Sequence, residues 1–178
     1  LVRVKIATAE NLCANFVLVI PGSDPTLKDF LDLENRYEYV RIFTVDEVII
    51  QLAGVHLQTN FVVLTEALKY IFISHMTKLL PQSQPLCYVE LDMVFLPGAG
   101  EEIRSMFERD FDVALTFKSD RDINSGLILT RSSRSVEAFF RRATGDLSRL
   151  PGCCVGGENQ AVMRDVLQSS FKPGEKIR

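Results

Sequence analysis

The chain has 178 residues, 47% of them hydrophobic and 24% charged, and its 20 basic and 23 acidic side chains leave a net charge of −3. That is enough for one domain with a sizeable core, too apolar for a disordered segment, and without the positive field that general nucleic-acid binding needs. No apolar run reaches the roughly 18 residues of a membrane span, and no signal peptide heads the chain. The four cysteines, Cys13, Cys87, Cys153 and Cys154, lack the paired spacing of a zinc site, and the adjacent Cys153 and Cys154 are poorly placed to bridge each other. They leave the redox compartment open. Asn-x-Ser/Thr sequons are absent, which leans away from a heavily glycosylated lumenal surface without excluding the Golgi.

Val2, Val4 and Ile6 alternate with Arg3 and Lys5 and read as a short strand, and Asn15 to Ile20 as a buried one. Only Ala7 to Ala14 lie between them, fewer residues than a parallel crossover takes. Asp24 is placed to cap a short helix with Pro25 at its first position and Leu27, Phe30 and Leu31 on its apolar face. Tyr39 to Thr44 is the next strand, and Asp46 opens a helix that ends at Gly54. Thr59 or Asn60 then caps the longest helix, whose Phe61, Leu64, Leu68, Ile71, Phe72, Met76 and Leu79 recur at helical spacing, and Pro81 ends it. His75, beside this stripe, and His56 lack a second ligand at fixed spacing and read as structural.

Cys87 to Pro97 is an apolar, β-rich run that contains two acids, Glu90 and Asp92. As a strand it puts both carboxylates on one face, near the C-terminal edge where open α/β sheets bind ligands, with Pro97-Gly98 as its stop. Two like charges held together call for a compensating cation, and a hard divalent metal with oxygen ligands answers that need. A solvated acid pair, or charge that protects a sheet edge, is the plainer alternative.

Gly100-Glu101-Glu102 opens a helix with an acidic first turn, and Val113 to Phe117 is a strand. After the polar stretch Lys118 to Asp122, Asn124-Ser125-Gly126 leads into the buried strand Leu127 to Thr130. Gly126, lacking a Cβ, admits close approach of another group; a plain turn is the alternative. Ser132 or Ser133 caps a helix whose Val136, Phe139 and Phe140 face the core. Arg131, Arg134, Arg141, Arg142 and Arg149 form a local basic excess that reads as a solvated helix face. Leu150 to Gly157 is a glycine-rich loop, and a last helix starts near Glu158 and buries Val162, Val166 and Leu167.

The ordered set of Glu90-Leu91-Asp92 ending an apolar strand, Phe111 to Leu115, Asp122 to Arg131 around Asn124-Ser125-Gly126, and Gly157-Glu158-Asn159-Gln160-Ala161 resembles the nucleotide-sugar glycosyltransferases of the GT-A fold. Their signature is Asp-x-Asp, here Glu90-Leu91-Asp92, and the resemblance covers residues 65 to 168. The alternation of strands and helices argues an α/β sheet of mostly parallel strands covered on both faces, and the resemblance implies that this is the three-layer α/β/α GT-A fold in a single domain over residues 1–178. It implies transfer of a sugar from a UDP- or GDP-sugar to a glycan, protein or small-molecule acceptor, with Mn²⁺ or Mg²⁺ held by Asp92 and Glu90. Lys69 matches the basic residue that approaches the donor diphosphate in that family, and Asn124, Ser125 and Gly126 match its sugar-contacting turn. Glu158, Asn159 and Gln160 match the catalytic helix start, with Asn159 where the family usually has Asp. Glu158 then serves as the catalytic carboxylate or only favours the helix N-terminus.

Three classes stay open on this reading: an active transferase, a catalytically inactive relative that binds or scaffolds, and a nucleotidyltransferase. The last is disfavoured because Ala7-Thr8-Ala9-Glu10 has no glycine-rich phosphate loop. The chain begins without Met and ends in a Pro173-Gly174 loop, so a longer natural protein is expected, which completes a metal site that Asp165 and Glu175 fit poorly. The Golgi lumen is the expected compartment for a eukaryotic member, the cytoplasm otherwise.

Overall fold

The structure, a computed structural model, describes residues 15–20, 22, 24–44, 61–90, 92–117, 123–147 and 158–170. The expected strand at Val2 to Ile6, the helix from Asp46 to Gly54, the caps at Thr59 or Asn60, the polar stretch Lys118 to Asp122 and the loop before Glu158 lie outside them. The described residues fall into two compact units, one within Leu1–Val55 and Leu91–Glu108, the other within His56–Glu90 and Arg109–Arg178.

In the first unit, β1 (Phe16–Ile20) and β2 (Val40–Thr44) pair in parallel, in register from Phe16↔Val40 to Ile20↔Thr44, with α1 (Leu27–Arg36) as the crossover. Ile20, Val40 and Ile42 are buried, and Leu27, Phe30 and Leu33 of α1 pack on them. Leu33 takes the place expected of Leu31, which is 41% exposed. The spacing i, i+3, i+6 winds the apolar stripe to one side of Phe30, away from Leu31. Asp24 does not cap α1 directly. Its Oδ1 accepts from the Thr26 amide at 2.8 Å and the Thr26 hydroxyl at 2.6 Å, a local turn that delivers the chain to Thr26, the N-cap of the helix. The unit also holds α3 (Ala99–Met106), which has the expected acids Glu101 and Glu102 in its first turn and is capped by Gly98 in the left-handed region, at φ 87°.

The second unit begins with α2 (Phe61–Leu79) and a sheet of β3 (Pro85–Val89), β4 (Val113–Phe117) and β5 (Ile123–Arg131). β5 lies between the other two and runs antiparallel to both. Among the described residues the fold is therefore mixed α/β, with one parallel pair and one antiparallel sheet in place of the expected run of mostly parallel strands. Loop length decides this: residues 118–122 alone join β4 to β5, too few for the crossover that a parallel neighbour requires.

Helix α4 (Arg134–Leu147) packs on α2, and α5 (Glu158–Ser170) packs on α4 and β5. Val136, Phe139 and Phe140 are buried as the helical spacing predicts, and α5 buries Val162, Met163 and Val166. Each such side chain contributes roughly 1.5–3 kcal/mol of transfer free energy. Of the expected stripe on α2, Ile71 is buried, Leu68, Phe72 and Met76 are half-buried and Leu79 is 64% exposed, while the side chains of Phe61 and Leu64 lie outside the described residues; Lys69, Tyr70, Ile73 and Thr77, which the stripe does not include, are buried. Apolar residues surround this helix almost completely, so their spacing alone does not select a face, and contact with α4 does. Tyr70 and Phe140 meet there with ring centroids 6.0 Å apart.

Both serines expected at the start of α4 are used, for different tasks. The Ser133 hydroxyl accepts from the Val136 amide at 3.2 Å, as an N-cap does. The Ser132 hydroxyl reaches the Thr77 and Leu80 carbonyls, at 2.8 and 3.1 Å, at the far end of α2. On the outer face of α4, Arg141 pairs with Glu137 and Arg142 with Asp146, the solvated face read from the arginine excess.

Candidate functional site

The site is built where β3 runs out against β5. Pairing proceeds in step from Pro85↔Arg131 to Val89↔Leu127. The next step is made on one side: the Glu90 amide donates to the Gly126 carbonyl at 2.8 Å, while the Gly126 amide turns to Asn124 Oδ1 at 2.9 Å. Asn124 thus captures the donor that would carry the ladder onward, and β3 ends at Val89. The strand expected to run through Asp92 to a stop at Pro97-Gly98 is accordingly shorter. Glu90 is its first residue beyond pairing, Asp92 stands exposed in a turn, and strand alternation is not what orients the two carboxylates.

On its other edge β5 bulges. Leu115 pairs with Ile128, but Thr116 pairs with Asn124, so Ser125, Gly126 and Leu127 are extra on the β5 side. Asn124-Ser125-Gly126 is therefore a bulge inside a strand, not a turn leading into one. The Thr116 hydroxyl donates to the Asn124 carbonyl at 2.8 Å and holds one end of it. Ser125 is 1% exposed.

Into this place α2 inserts Lys69. Its Nζ lies 2.6 Å from Glu90 Oε1 and 2.9 Å from Ser125 Oγ, and it stands 5.7 and 6.0 Å from the ring centroids of Tyr70 and Tyr88. An ammonium withdrawn from water alone costs several kcal/mol, and the carboxylate, the hydroxyl and the two aromatic faces together offset that. Positions 69, 90 and 125, dispersed in the chain, are brought into one hydrogen-bonded cluster.

The cluster narrows what chemistry is open. Ser125 next to a lysine has the residue types of a nucleophile and its base, but a hydroxyl that is 1% exposed meets no external carbonyl, and Lys69 is engaged by Glu90. The charge of Glu90, which called for a metal in the sequence, meets Lys69. Among the described residues no three His, Cys, Asp or Glu side chains assemble as a metal cage. Asp92, exposed and hard, fits a cation held mainly by water and phosphate oxygens, as Mg²⁺ and Mn²⁺ commonly are.

Of the remaining expected site residues, Glu158, Asn159 and Gln160 open α5, as the helix-start reading predicts, and their side chains lie outside the described residues. Asp165 is exposed on α5 with Arg164 Nε 3.6 Å from its carboxylate. His75 is half-buried on α2. Among the described residues no helix is long and apolar enough to cross a membrane.

Thr116 and Tyr88 are the members that sequence reasoning missed. A threonine and a tyrosine inside apolar runs carry no signal beyond strand preference; only the register shift brings Thr116 opposite Asn124. Comparison with protein-family models, with curated proteins and with solved structures gives no match for this chain.

Proposed function

We propose that this chain is a metal-dependent glycosyltransferase domain of the GT-A type, which moves a sugar from a UDP- or GDP-sugar to an acceptor hydroxyl. The observation that carries the reading is the convergence of Lys69, Glu90 and Ser125 beside the Asn124–Gly126 bulge at the end of β3. Glu90 and Ser125 belong to the acid-x-acid and Asn-Ser-Gly motifs, Lys69 is the match to the family's basic helix residue, and the three lie far apart in sequence.

In this reading Asp92 is the protein's metal ligand. A Mn²⁺ or Mg²⁺ held by Asp92 would supply positive charge for the diphosphate of a nucleotide leaving group. The bulge takes the donor sugar: the bond from Gly126 engages the Asn124 oxygen, and the Nδ2 group of the same amide is the donor that a sugar hydroxyl meets. Glu158 at the start of α5 is the carboxylate assigned to the acceptor hydroxyl.

A second reading, an inactive relative that binds a nucleotide sugar without transferring it, is favoured by the pairing of Glu90 with Lys69, which leaves the metal one acidic ligand fewer. Calorimetric titration of UDP and GDP with and without Mn²⁺ tests both. Binding should require the cation, and Asp92→Asn should weaken it about tenfold, the loss of one charged ligand. Equal, metal-independent affinity in the wild type and the variant rejects both readings. Cation-dependent binding without turnover of any UDP- or GDP-sugar selects the second.

A further inference from the structure

We infer that Lys69 is a positioning residue and not an anion ligand: its ammonium joins the Glu90 carboxylate to the Ser125 hydroxyl and so fixes the shape of the Asn124–Gly126 bulge. The consequence for donor binding rests on the glycosyltransferase reading, whereas the hold on the bulge stands on the distances alone.

A bulge with three extra residues is a weak point in a sheet, because Ser125, Gly126 and Leu127 have no place in the β4 register. Along the strand it is closed by Asn124 Oδ1 and the Gly126 amide, and at one end by Thr116. Toward β3 it is held by the Glu90 amide on the Gly126 carbonyl. Its anchor to α2 is the Ser125 hydroxyl, 2.9 Å from Lys69 Nζ. The same nitrogen holds the Glu90 side chain at 2.6 Å, so one ammonium ties Glu90, which makes the last, half-made step of the β3–β5 ladder with Gly126, to Ser125, the chain neighbour of Gly126. A diphosphate that used this cation would have to take it from Glu90 and reach a side chain that is 7% exposed. The ammonium's donors and charge point inward, which is the arrangement of a tie and not of an open anion site.

The test reads amide hydrogen exchange by NMR and binding of Mn²⁺-pyrophosphate by calorimetry, in the wild type, Lys69→Met and Lys69→Arg. Lys69→Met should speed exchange at Ser125, Gly126 and Leu127 by about tenfold or more relative to Val162 and Val166 of α5, and Lys69→Arg should restore most of the protection. Pyrophosphate affinity, where the wild type shows it, should change by less than about threefold. Unchanged exchange at the bulge in Lys69→Met overturns the inference, and so does a tenfold loss of pyrophosphate affinity with the bulge still protected. If Lys69→Met does not fold, the double variant Lys69→Met/Glu90→Gln, which removes both charges, is read in the same way. A wild type that binds no pyrophosphate with Mn²⁺ counts against the glycosyltransferase reading, and the exchange at the bulge still decides the role of Lys69.

Discussion

Lys69 and Glu90 meet at 2.6 Å with unequal access to water, for the lysine side chain is 7% exposed and the glutamate side chain 38%. The two partners of this pair are therefore not equivalent. Glu90 left without Lys69 can rehydrate; Lys69 left without Glu90 cannot.

Glu90→Gln should consequently cost more stability than Lys69→Met, in which the methionine keeps the apolar stem. We expect roughly 2–3 kcal/mol for the first, below the value for a fully buried pair because Glu90 is partly solvated, and about 1 kcal/mol for the second. The double variant should recover most of the larger loss. Urea midpoints at constant slope check the order, and equal costs for the two single variants would show that the site treats both charges alike.

Ser132 offers a test away from the site. Its side chain is buried and its single hydroxyl proton serves the Thr77 carbonyl at 2.8 Å or the Leu80 carbonyl at 3.1 Å, groups that the end of α2 leaves unpaired. Ser132→Ala keeps the backbone bonds from Ser83 to the Ser132 carbonyl and from Ser132 to the Gln84 carbonyl, and removes the hydroxyl. The expected cost is about 1–3 kcal/mol, with faster amide exchange confined to the last turn of α2. A loss spread evenly over α2 and α4 would instead mean that Ser132 sustains the packing of the two helices.

What the sequence made legible was local. β4 runs from Val113 to Phe117 as read from its residues, and β1, α4 and the start of α5 stand close to their expected bounds, because caps, alternation and Pro stops act over a few residues. The antiparallel sheet was legible in principle from residues 118–122, but the alternation of strands and helices points to parallel strands, and only the loop length speaks against it. Three facts were not legible. The buried face of α2 is chosen by α4, the end of β3 by an asparagine distant in the chain, and the bulge by a register shift between β4 and β5. Each is a long-range choice on which single residues carry no mark. Lys69, Glu90 and Ser125 were all candidate residues, yet their mutual contact was unforeseen, since each had been assigned to a ligand rather than to another side chain.

Asp24 gives a pH-dependent outcome. The Thr26 hydroxyl, and after it the Thr26 amide, hold the Asp24 carboxyl below its ordinary value of 3.8. A carboxyl lowered on folding adds stability above its unfolded pKa, and that contribution fades as pH falls through the lower folded value. It should therefore be intact at neutral pH and lost only in acid below about 3.8. Thr26→Ala removes the larger of the two causes and should raise the Asp24 pKa toward the ordinary value in an NMR titration. An unmoved titration would mean that the amide alone sets it.

The side-chain oxygen of Asn124 ends the β3–β5 pairing by taking the Gly126 amide at 2.9 Å. Asn124→Ala removes that acceptor and offers the Gly126 amide the alternative of continuing the ladder to Glu90, a neighbour already bonded to the Gly126 carbonyl. Asn124→Asp keeps an acceptor oxygen in the same place, loses the Nδ2 donors and adds a negative charge, which bare UDP and a UDP-sugar meet alike. The two substitutions therefore separate structure from contact. If Asn124 acts through the bulge, alanine should alter exchange at Gly126 and cost about 1 kcal/mol of stability, while aspartate leaves both near the wild type. If it also touches the donor sugar, aspartate should weaken a UDP-sugar by about tenfold and bare UDP by much less, because a lost hydrogen bond to a sugar hydroxyl is felt only when the sugar is present. Equal losses for UDP and the UDP-sugar in Asn124→Asp, with the bulge undisturbed, would confine Asn124 to ending the strand, since a residue that holds backbone alone has no means of telling the sugar from its absence.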